Sequence, residues 1–137
     1  MAGKLNILGA AKALDAASGR ATQTAHTEYL ALTTAIPTAT STLATITEYP
    51  RAGYARQTLA MGAPAGTPRV TANTALITFG PLTGANNTDV VNGWAACTVS
   101  TGTAGDIDFQ GDWSVSRTPN AGDSLTVAVG ALTAQID

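Results

Sequence analysis

Few side chains in this sequence are suited to chemistry, and they lie far apart along the chain. His26 is the only histidine and lies among threonines, two residues before Glu28. A histidine general base needs a nucleophile and an orienting group in space. The sequence has no nucleophile-elbow motif that would supply the nucleophile. We therefore expect a structural or surface role for His26, no catalytic residues, and a protein that is not an enzyme.

The only cysteine, Cys97, lies in the apolar segment Trp94-Ala-Ala-Cys-Thr98. A reactive thiolate needs a cationic neighbour or a helix N-terminus to lower its pKa. The sequence places neither beside Cys97, so we expect a buried thiol that packs as a small apolar group. A single cysteine also excludes an internal disulfide and a site built from several thiolates.

The segment Asp106–Asp112 partly resembles the start of a calcium-binding loop. It has carboxylates at positions one and three and glycine at position six. Position twelve needs a bidentate glutamate, but Arg117 stands there. The sequence therefore favours an exposed strand, with Asp106 and Asp108 on one face and Ile107 on the other. We expect no metal ion and no cofactor.

Basic and aromatic residues cluster around one predicted strand, as Arg51, Tyr54, Arg56 and Arg69. Such a mixture can bind single-stranded nucleic acid. However, the net charge of the chain is -2 and provides no basic field to hold phosphates. Tyrosine and arginine are also favoured at protein interfaces. We therefore predict no nucleic-acid partner and an interface that includes Arg51, Tyr54 and Arg56.

The composition favours a protein that is packed in an assembly. Charged residues make up 12% of the chain, about half the usual share of about 25%. The first residues weakly resemble a signal peptide, but Asn6 and Lys12 interrupt the apolar stretch and Asp15 follows it. No run reaches the roughly 18 apolar residues of a membrane span. We expect neither secretion by a signal peptide nor a membrane partner.

One helix is predicted, over Lys4–Ala17, because alanine, leucine and lysine favour helices. Ile7, Ala10, Leu14 and Ala17 share one stripe, whereas Leu5 and Leu8 point elsewhere. A helix with apolar residues on two sides needs two partners. We expect Leu5 and Leu8 to contact a neighbouring subunit.

The rest of the chain alternates with the period of two that is typical of strands. The predicted strand segments are Thr27–Ile36, Thr42–Tyr49, Tyr54–Met61, Val70–Phe79, Val90–Ser100, Ile107–Val115, Ser124–Val129 and Leu132–Ile136. Seven or eight short strands at such spacing predict a mainly β fold, a single β-sandwich or jelly-roll-like domain with one short N-terminal α-helix. We divide the chain into an N-terminal helix or arm at residues 1–19 and a β-sandwich domain at residues 20–137.

The alternation also predicts which side chains form the core. We expect the facing layers of the sandwich to be formed by Ile77, Phe79, Phe109, Trp113, Val115, Leu125 and Val127. Trp113 is expected to be the dominant packing element, because aromatic residues are few.

The order of segments resembles a family of small phage virion proteins, of the kind described in actinobacterial phages as tail-fibre-like or minor capsid proteins. The resemblance rests on Tyr29–Pro37, on Gly53-Tyr-Ala-Arg-Gln57 and on Asn120-Ala-Gly-Asp-Ser-Leu-Thr-Val127, and it covers the chain from about Leu5 to Ile136. The chain departs from the family pattern at the Thr-rich Thr38–Tyr49 and at Trp94-Ala-Ala-Cys97.

This resemblance implies a structural protein of the virion, made in the host cytoplasm. The function that we favour is decoration or cementing of the capsid surface, with the major capsid protein and copies of the chain itself as partners. A tail protein of a tube, fibre or baseplate is the first alternative. A carbohydrate- or receptor-binding module that uses Trp94, Trp113, Tyr49 and Tyr54 is the second.

Overall fold

The computed structural model describes residues 1–22, 24–66, 69–84 and 88–136, the last without the side chain of Ile136. It is mainly β, with one helix near the N-terminus, as the sequence predicts. The elements in chain order are β1 (Ala2–Leu5), α1 (Ile7–Ala17), β2 (Glu28–Thr33), β3 (Gln57–Leu59), β4 (Arg69–Ala72), β5 (Ile77–Phe79), β6 (Val91–Cys97), β7 (Ile107–Arg117), β8 (Leu125–Val127) and β9 (Thr133–Ile136).

The strands form one curled sheet of seven and a second sheet of two. The order in the large sheet is β3-β2-β6-β7-β1-β9-β4, and β5 pairs with β8 in the small sheet. The pairs are antiparallel except β1 with β9, which is parallel. The residues predicted as an N-terminal arm thus supply an interior strand of the large sheet.

The predicted helix begins too early, because residues 2–5 are a strand. Asn6 then caps the helix: its Oδ1 accepts a hydrogen bond from the Leu8 backbone N–H at 3.1 Å. The Asn6 amide also donates to Ser41 O and to Gln110 Oε1, at 2.9 and 3.0 Å. Asn6 is fully buried and fixes the point where strand becomes helix.

The strand predicted at Thr42–Tyr49 is wrong, since this segment folds into turns with a single bridge from Glu48 to Thr33. The Thr42 backbone N–H donates to Thr45 Oγ1 at 2.9 Å, and the Thr38 N–H donates to Ser41 Oγ at 2.9 Å. Threonine and serine hydroxyls here satisfy the backbone groups that a strand would leave for its neighbours.

The predicted strand Val70–Phe79 is divided into β4 and β5 by Asn73. This buried amide donates to Ala75 O and Ala128 O, and its oxygen accepts from the Leu132 N–H. The glycine-containing segments Gly62–Pro68 and Gly84–Asp89, which separate predicted strands, lie partly outside the described residues.

The core lies inside the curl of the large sheet and beneath the small one. Its largest fully buried side chain is Trp94, packed with neighbours that include Leu30, Leu32 and Phe79. A second cluster on the opposite face includes Ala31, Leu43, Cys97 and Ile107. Strands β2 and β6 are therefore covered on both faces, which explains why both carry nearly continuous apolar runs.

The predicted core is confirmed in part. Ile77, Phe79 and Val127 are buried, and Phe109, Trp113 and Leu125 are partly buried against them. The prediction that Val115 belongs to the core is wrong, because this residue is 60% exposed. It lies where the β6–β7 register shifts, between the pairs Gly93–Asp112 and Val91–Arg117. Trp113 is also not the dominant packing element; that position belongs to Trp94.

Within the described residues, no helix is long and apolar enough to cross a bilayer.

Candidate functional site

The structure brings together two groups of polar residues that are distant in sequence. His26 and Glu28 lie at the start of β2, and Asp108 lies on β7, across the end of β6. The His26 Nε2 atom is 2.6 Å from Glu28 Oε1 and 3.2 Å from Asp108 Oδ2. We call these three residues the His26 cluster.

A β-bulge positions Asp108. Ala96 pairs with Phe109 and the next residue, Cys97, pairs with Ile107, so Asp108 is the extra residue of β7. A bulge redirects a side chain out of the regular alternation. The expectation of an exposed aspartate face on this strand is therefore wrong: Asp108 is 7% exposed, and its neighbour Ile107 is buried as well.

Helix α1 covers this part of β7. Gly9 faces the strand so closely that a Cβ there would clash with the Asp108 carbonyl oxygen. One turn further on, Lys12 Nζ is 2.8 Å from Asp108 Oδ1 and 3.0 Å from Asp106 Oδ2. The helix thus delivers one ammonium group to the side of Asp108 that faces away from His26.

The charges of the cluster shift one another's ionisation. Burial, with the nearby Asp108 carboxylate, raises the pKa of Glu28 to about 7, although His26 opposes this shift. Burial alone would raise the pKa of Asp108, but Lys12 and the other partners hold it below its usual value. Burial by itself would lower the pKa of His26, but the hydrogen bonds to Glu28 and Thr24 and the charges of Glu28 and Asp108 together raise it.

We expect the free energy of unfolding to fall as the pH rises from about 4.5 to about 7. In this range Glu28 keeps a proton in the folded chain and has lost it in the unfolded chain, whose pKa is near 4.5. The raised pKa of His26 acts in the same direction, above its ordinary value of 6.5. The shifted pKa values of two neighbours do not affect this range. The shift of Asp108 changes the free energy of unfolding only below pH 3.8, and that of Lys12 only above pH 10.5.

Urea unfolding followed by circular dichroism, in buffers with a chelator, measures this dependence. Glu28→Gln should flatten the slope between pH 4.5 and pH 7. An equally steep slope in Glu28→Gln would show that the dependence has another origin.

The predicted interface residues Tyr54 and Arg56 form an internal network around Glu48. The Tyr54 hydroxyl donates to Glu48 Oε1 at 2.7 Å and accepts from the Leu32 N–H at 3.0 Å. Arg56 Nη2 donates to Glu48 Oε2 at 2.7 Å, and its side chain is only 4% exposed. Burial alone would raise the pKa of Glu48, but the hydrogen bonds from Arg56 and Tyr54 together lower it.

The other arginine of that predicted interface, Arg51, is also buried, with 4% exposure. Its guanidinium donates to the carbonyl oxygens of Pro119 and Thr83. In the isolated chain these arginine and tyrosine side chains are thus held within the fold. An interface that includes Arg51, Tyr54 and Arg56 stays a prediction.

Cys97 is buried, as predicted. Its thiol donates to the Tyr29 carbonyl oxygen at 3.3 Å. Burial raises the pKa of this thiol to about 11. The neutral thiol is therefore the dominant form at neutral pH.

The apolar stripe of α1 faces outward, opposite to the expected arrangement. Ile7 and Leu14 are 59% and 70% exposed, and Leu8 is 42% exposed. Leu5, the other predicted interface residue, is half-buried in β1 and pairs with Phe109. A shallow groove of about 700 Å³, here called the α1 groove, is lined by Lys4, Leu5, Ala10, Ala13, Leu14, Ala17 and Gln135.

A second groove, of about 620 Å³, runs between β7 and β8. It is lined mainly by polar side chains and backbone, with Trp113, Arg117, Asp123 and Leu125 among its walls. Of the four aromatic residues that the sequence offered for carbohydrate binding, Trp94 and Tyr49 are buried. Tyr54 is held by Glu48, so only Trp113 lines this groove.

Residues 5–135 match the family of the podophage GP4 fiber I protein gp80. The chain belongs to this family of phage fibre proteins. It is therefore a structural protein of a phage particle, as the resemblance of its segments implies. No curated protein matches the fibre chain.

Sequence reasoning missed the His26 cluster in this fibre protein. It considered His26 with Glu28 and, separately, Asp106 with Asp108, because 77 residues of chain, 29–105, lie between the two groups. The departure from strand alternation at Asp108 comes from the bulge, which leaves no mark in the residue types. Only the pairing of β6 with β7 shows that the two groups meet.

Proposed function

We propose that the chain is a repeated structural subunit of the fibre of a phage tail, held there by contacts with copies of itself and with other virion proteins. The observation that carries this proposal is the family match over nearly the whole chain, residues 5–135. Because that family is one of fibre proteins, the tail alternative is favoured over capsid decoration. An actinobacterial host stays a prediction from the resemblance.

The exposed apolar residues of the chain support contacts with other proteins. Single exposed apolar residues are ordinary, but a group of them on one element is typical of contact surfaces. The large apolar side chains exposed among the described residues are Ile7, Leu8, Leu14, Ile36, Leu76, Val115 and Val129. Three of these lie on α1, which makes the outer face of this helix the strongest candidate for a contact with another subunit.

Deletion of the gene tests the proposed place in the particle. Phage that lack the chain should assemble heads of normal size and lose the fibre density in negative-stain images. Expression of the wild-type chain from a plasmid should restore that density. Complete fibres in the deletion particles would overturn the proposal, and loss of heat resistance of the head alone would favour capsid decoration instead.

We expect the double substitution Leu8→Ser and Leu14→Ser to reduce incorporation into particles by about tenfold or more. Burial of each leucine contributes about 1.5–3 kcal/mol, and 1.4 kcal/mol is a factor of ten in binding. Because both side chains are exposed, the isolated chain should keep its free energy of unfolding to within about 1 kcal/mol, about 0.5 kcal/mol for each substitution.

Quantitative immunoblots of purified particles measure this incorporation. The matched control is Leu76→Ser, since Leu76 is 61% exposed in the segment between β4 and β5. It should enter particles at the wild-type level. Wild-type incorporation of the double variant would remove α1 from the contact surface.

One observation favours a second function, the binding of a glycan. Trp113 lines the groove between β7 and β8 together with Arg117 and Asp123. An aromatic face beside charged and hydroxyl groups suits a sugar ring, which is apolar on one side and polar at its edge. A glycan array with wild type and Trp113→Ala tests this function, which predicts a signal that the variant loses.

A further inference from the structure

The His26 cluster has the donor set of a metal site. Zinc ions in proteins take imidazole nitrogen and carboxylate oxygen, often from three side chains with a fourth position left open. His26 offers Nε2, Glu28 a carboxylate oxygen and Asp108 Oδ2, and these atoms all lie within 4.8 Å of one another. We propose that His26, Glu28 and Asp108 bind one zinc-class divalent transition-metal ion.

The separations suit a tetrahedral ion after a small adjustment. Ligand atoms about 2.0–2.1 Å from zinc lie roughly 3.3 Å apart at tetrahedral angles. His26 Nε2 is already 3.2 Å from Asp108 Oδ2. It is 2.6 Å from Glu28 Oε1, so that pair needs to open by about 0.7 Å. The His26 side chain is 39% exposed, and its ring can make this movement.

Outer contacts hold two of the three ligands in the orientation that a metal requires. The Nδ1 of His26 faces the Thr24 carbonyl oxygen at 3.4 Å. A proton on Nδ1 leaves Nε2 with its lone pair free, which is the usual arrangement for a metal-bound histidine. Lys12 occupies Asp108 Oδ1 at 2.8 Å and leaves Oδ2 for the ion.

The buried oxygen of Glu28 is a further observation that points to a cation. Glu28 Oε2 is buried and has no hydrogen-bond partner among the described residues. When Glu28 is ionised, a buried carboxylate oxygen without a donor is costly. A metal ion beside Oε1 and Oε2 would supply the missing positive charge.

The balance of charge favours a divalent ion. Among the described residues, the group contains three carboxylates, those of Glu28, Asp106 and Asp108, and one ammonium, that of Lys12, which contacts both aspartates. With Glu28 ionised and His26 neutral, the forms in which both can bind a metal, the group carries two negative charges in excess, which one divalent cation neutralises. The imidazole ligand favours zinc and its neighbours over calcium and magnesium, since those two ions prefer sites made of oxygen alone.

Titration of the purified full-length chain with ZnCl2, after treatment with a chelator and dialysis, tests the proposal. Calorimetry should show one saturable site per chain. Free zinc at 100 times the dissociation constant should raise the folded-to-unfolded ratio by about 100-fold and the melting temperature accordingly. Cobalt(II) should give a visible absorption spectrum of a histidine- and carboxylate-bound ion, a signature that a purely structural cluster would not give.

Variants identify the ligands. His26→Ala and Glu28→Gln should each weaken zinc binding by at least about tenfold. The matched control is Asp112→Asn, an exposed aspartate on the same strand, which should bind as wild type does. Circular dichroism checks the fold of each variant. If Glu28→Gln fails to fold, the exposed His26 still decides the question.

Two outcomes would overturn the proposal: no saturable zinc binding, or binding that His26→Ala leaves unchanged. Binding of calcium in preference to zinc would also overturn it. Because the titration uses the purified chain, its result is independent of where the chain lies in the particle.

Discussion

Trp94→Ala should remove a large part of the free energy of unfolding. Trp94 is fully buried at the centre of the larger core cluster. Truncation of a buried tryptophan costs about 3–5 kcal/mol, and a domain of this size has about 5–15 kcal/mol in total. Urea unfolding followed by far-ultraviolet circular dichroism measures the loss without relying on the indole that is removed.

The surroundings of Trp94 leave little room for the fold to adjust. Its Nε1 donates to the Asp112 carbonyl oxygen at 3.2 Å. Gly3 of β1 and Gly111 of β7 face the indole so closely that a Cβ on either glycine would clash with it. These rigid backbone walls cannot collapse into the cavity that alanine leaves, so the cost should lie near the upper end of the range.

Trp113→Ala is the matched control for Trp94→Ala. Trp113 is only partly buried and lines an open groove, so its truncation should cost clearly less. Equal losses for the two variants would contradict the assignment of Trp94 as the central packing element. A larger loss for Trp113 would restore the expectation from sequence alone.

Glu48→Ala should reduce the free energy of unfolding by about 2–4 kcal/mol. The substitution leaves the guanidinium of Arg56, with a side chain only 4% exposed, without its carboxylate. It also removes the acceptor of the Tyr54 hydroxyl. Breaking a fully buried pair costs about 3–5 kcal/mol, and Glu48 is 29% exposed, which lowers the expected value.

The pair can be tested further by removing both charges. In the double variant Glu48→Ala with Arg56→Met, no unpaired buried charge remains, so part of the lost stability should return. The lowered pKa of Glu48 adds a pH dependence: its contribution is present above the unfolded value of 4.5 and is lost as the pH falls below it. A single variant as stable as wild type would show that the network contributes nothing.

The sequence predicts the mainly β class and most strand positions because apolar alternation and turn residues are local features. Strands β2, β3, β6, β8 and β9 fall inside predicted segments, and β7 begins with its predicted segment and extends two residues beyond it. The failures arise where a polar side chain bonds to the backbone. Asn6 ends the first strand, Asn73 divides another, and the hydroxyls of the segment from Thr38 to Thr45 form turns.

The sites were harder to predict than the strands, because they depend on contacts between distant parts of the chain. His26 and Asp108 are each ordinary in their local sequence, and the bulge that joins them is visible only from the pairing of β6 with β7. Arg51 and Arg56 look like surface residues by type, yet both are buried against carbonyl or carboxylate oxygens. The burial of Cys97, by contrast, follows directly from its apolar neighbours.

The most direct test of the central claim is the position of the chain on intact particles, imaged with gold-labelled antibodies raised against the purified protein. We predict label along the tail fibres in repeated copies, with heads unlabelled. Pre-absorption of the antibodies with the purified chain should abolish the label. Gold spread over the faces of the head, with bare fibres, would contradict the assignment to the fibre and restore capsid decoration as the function.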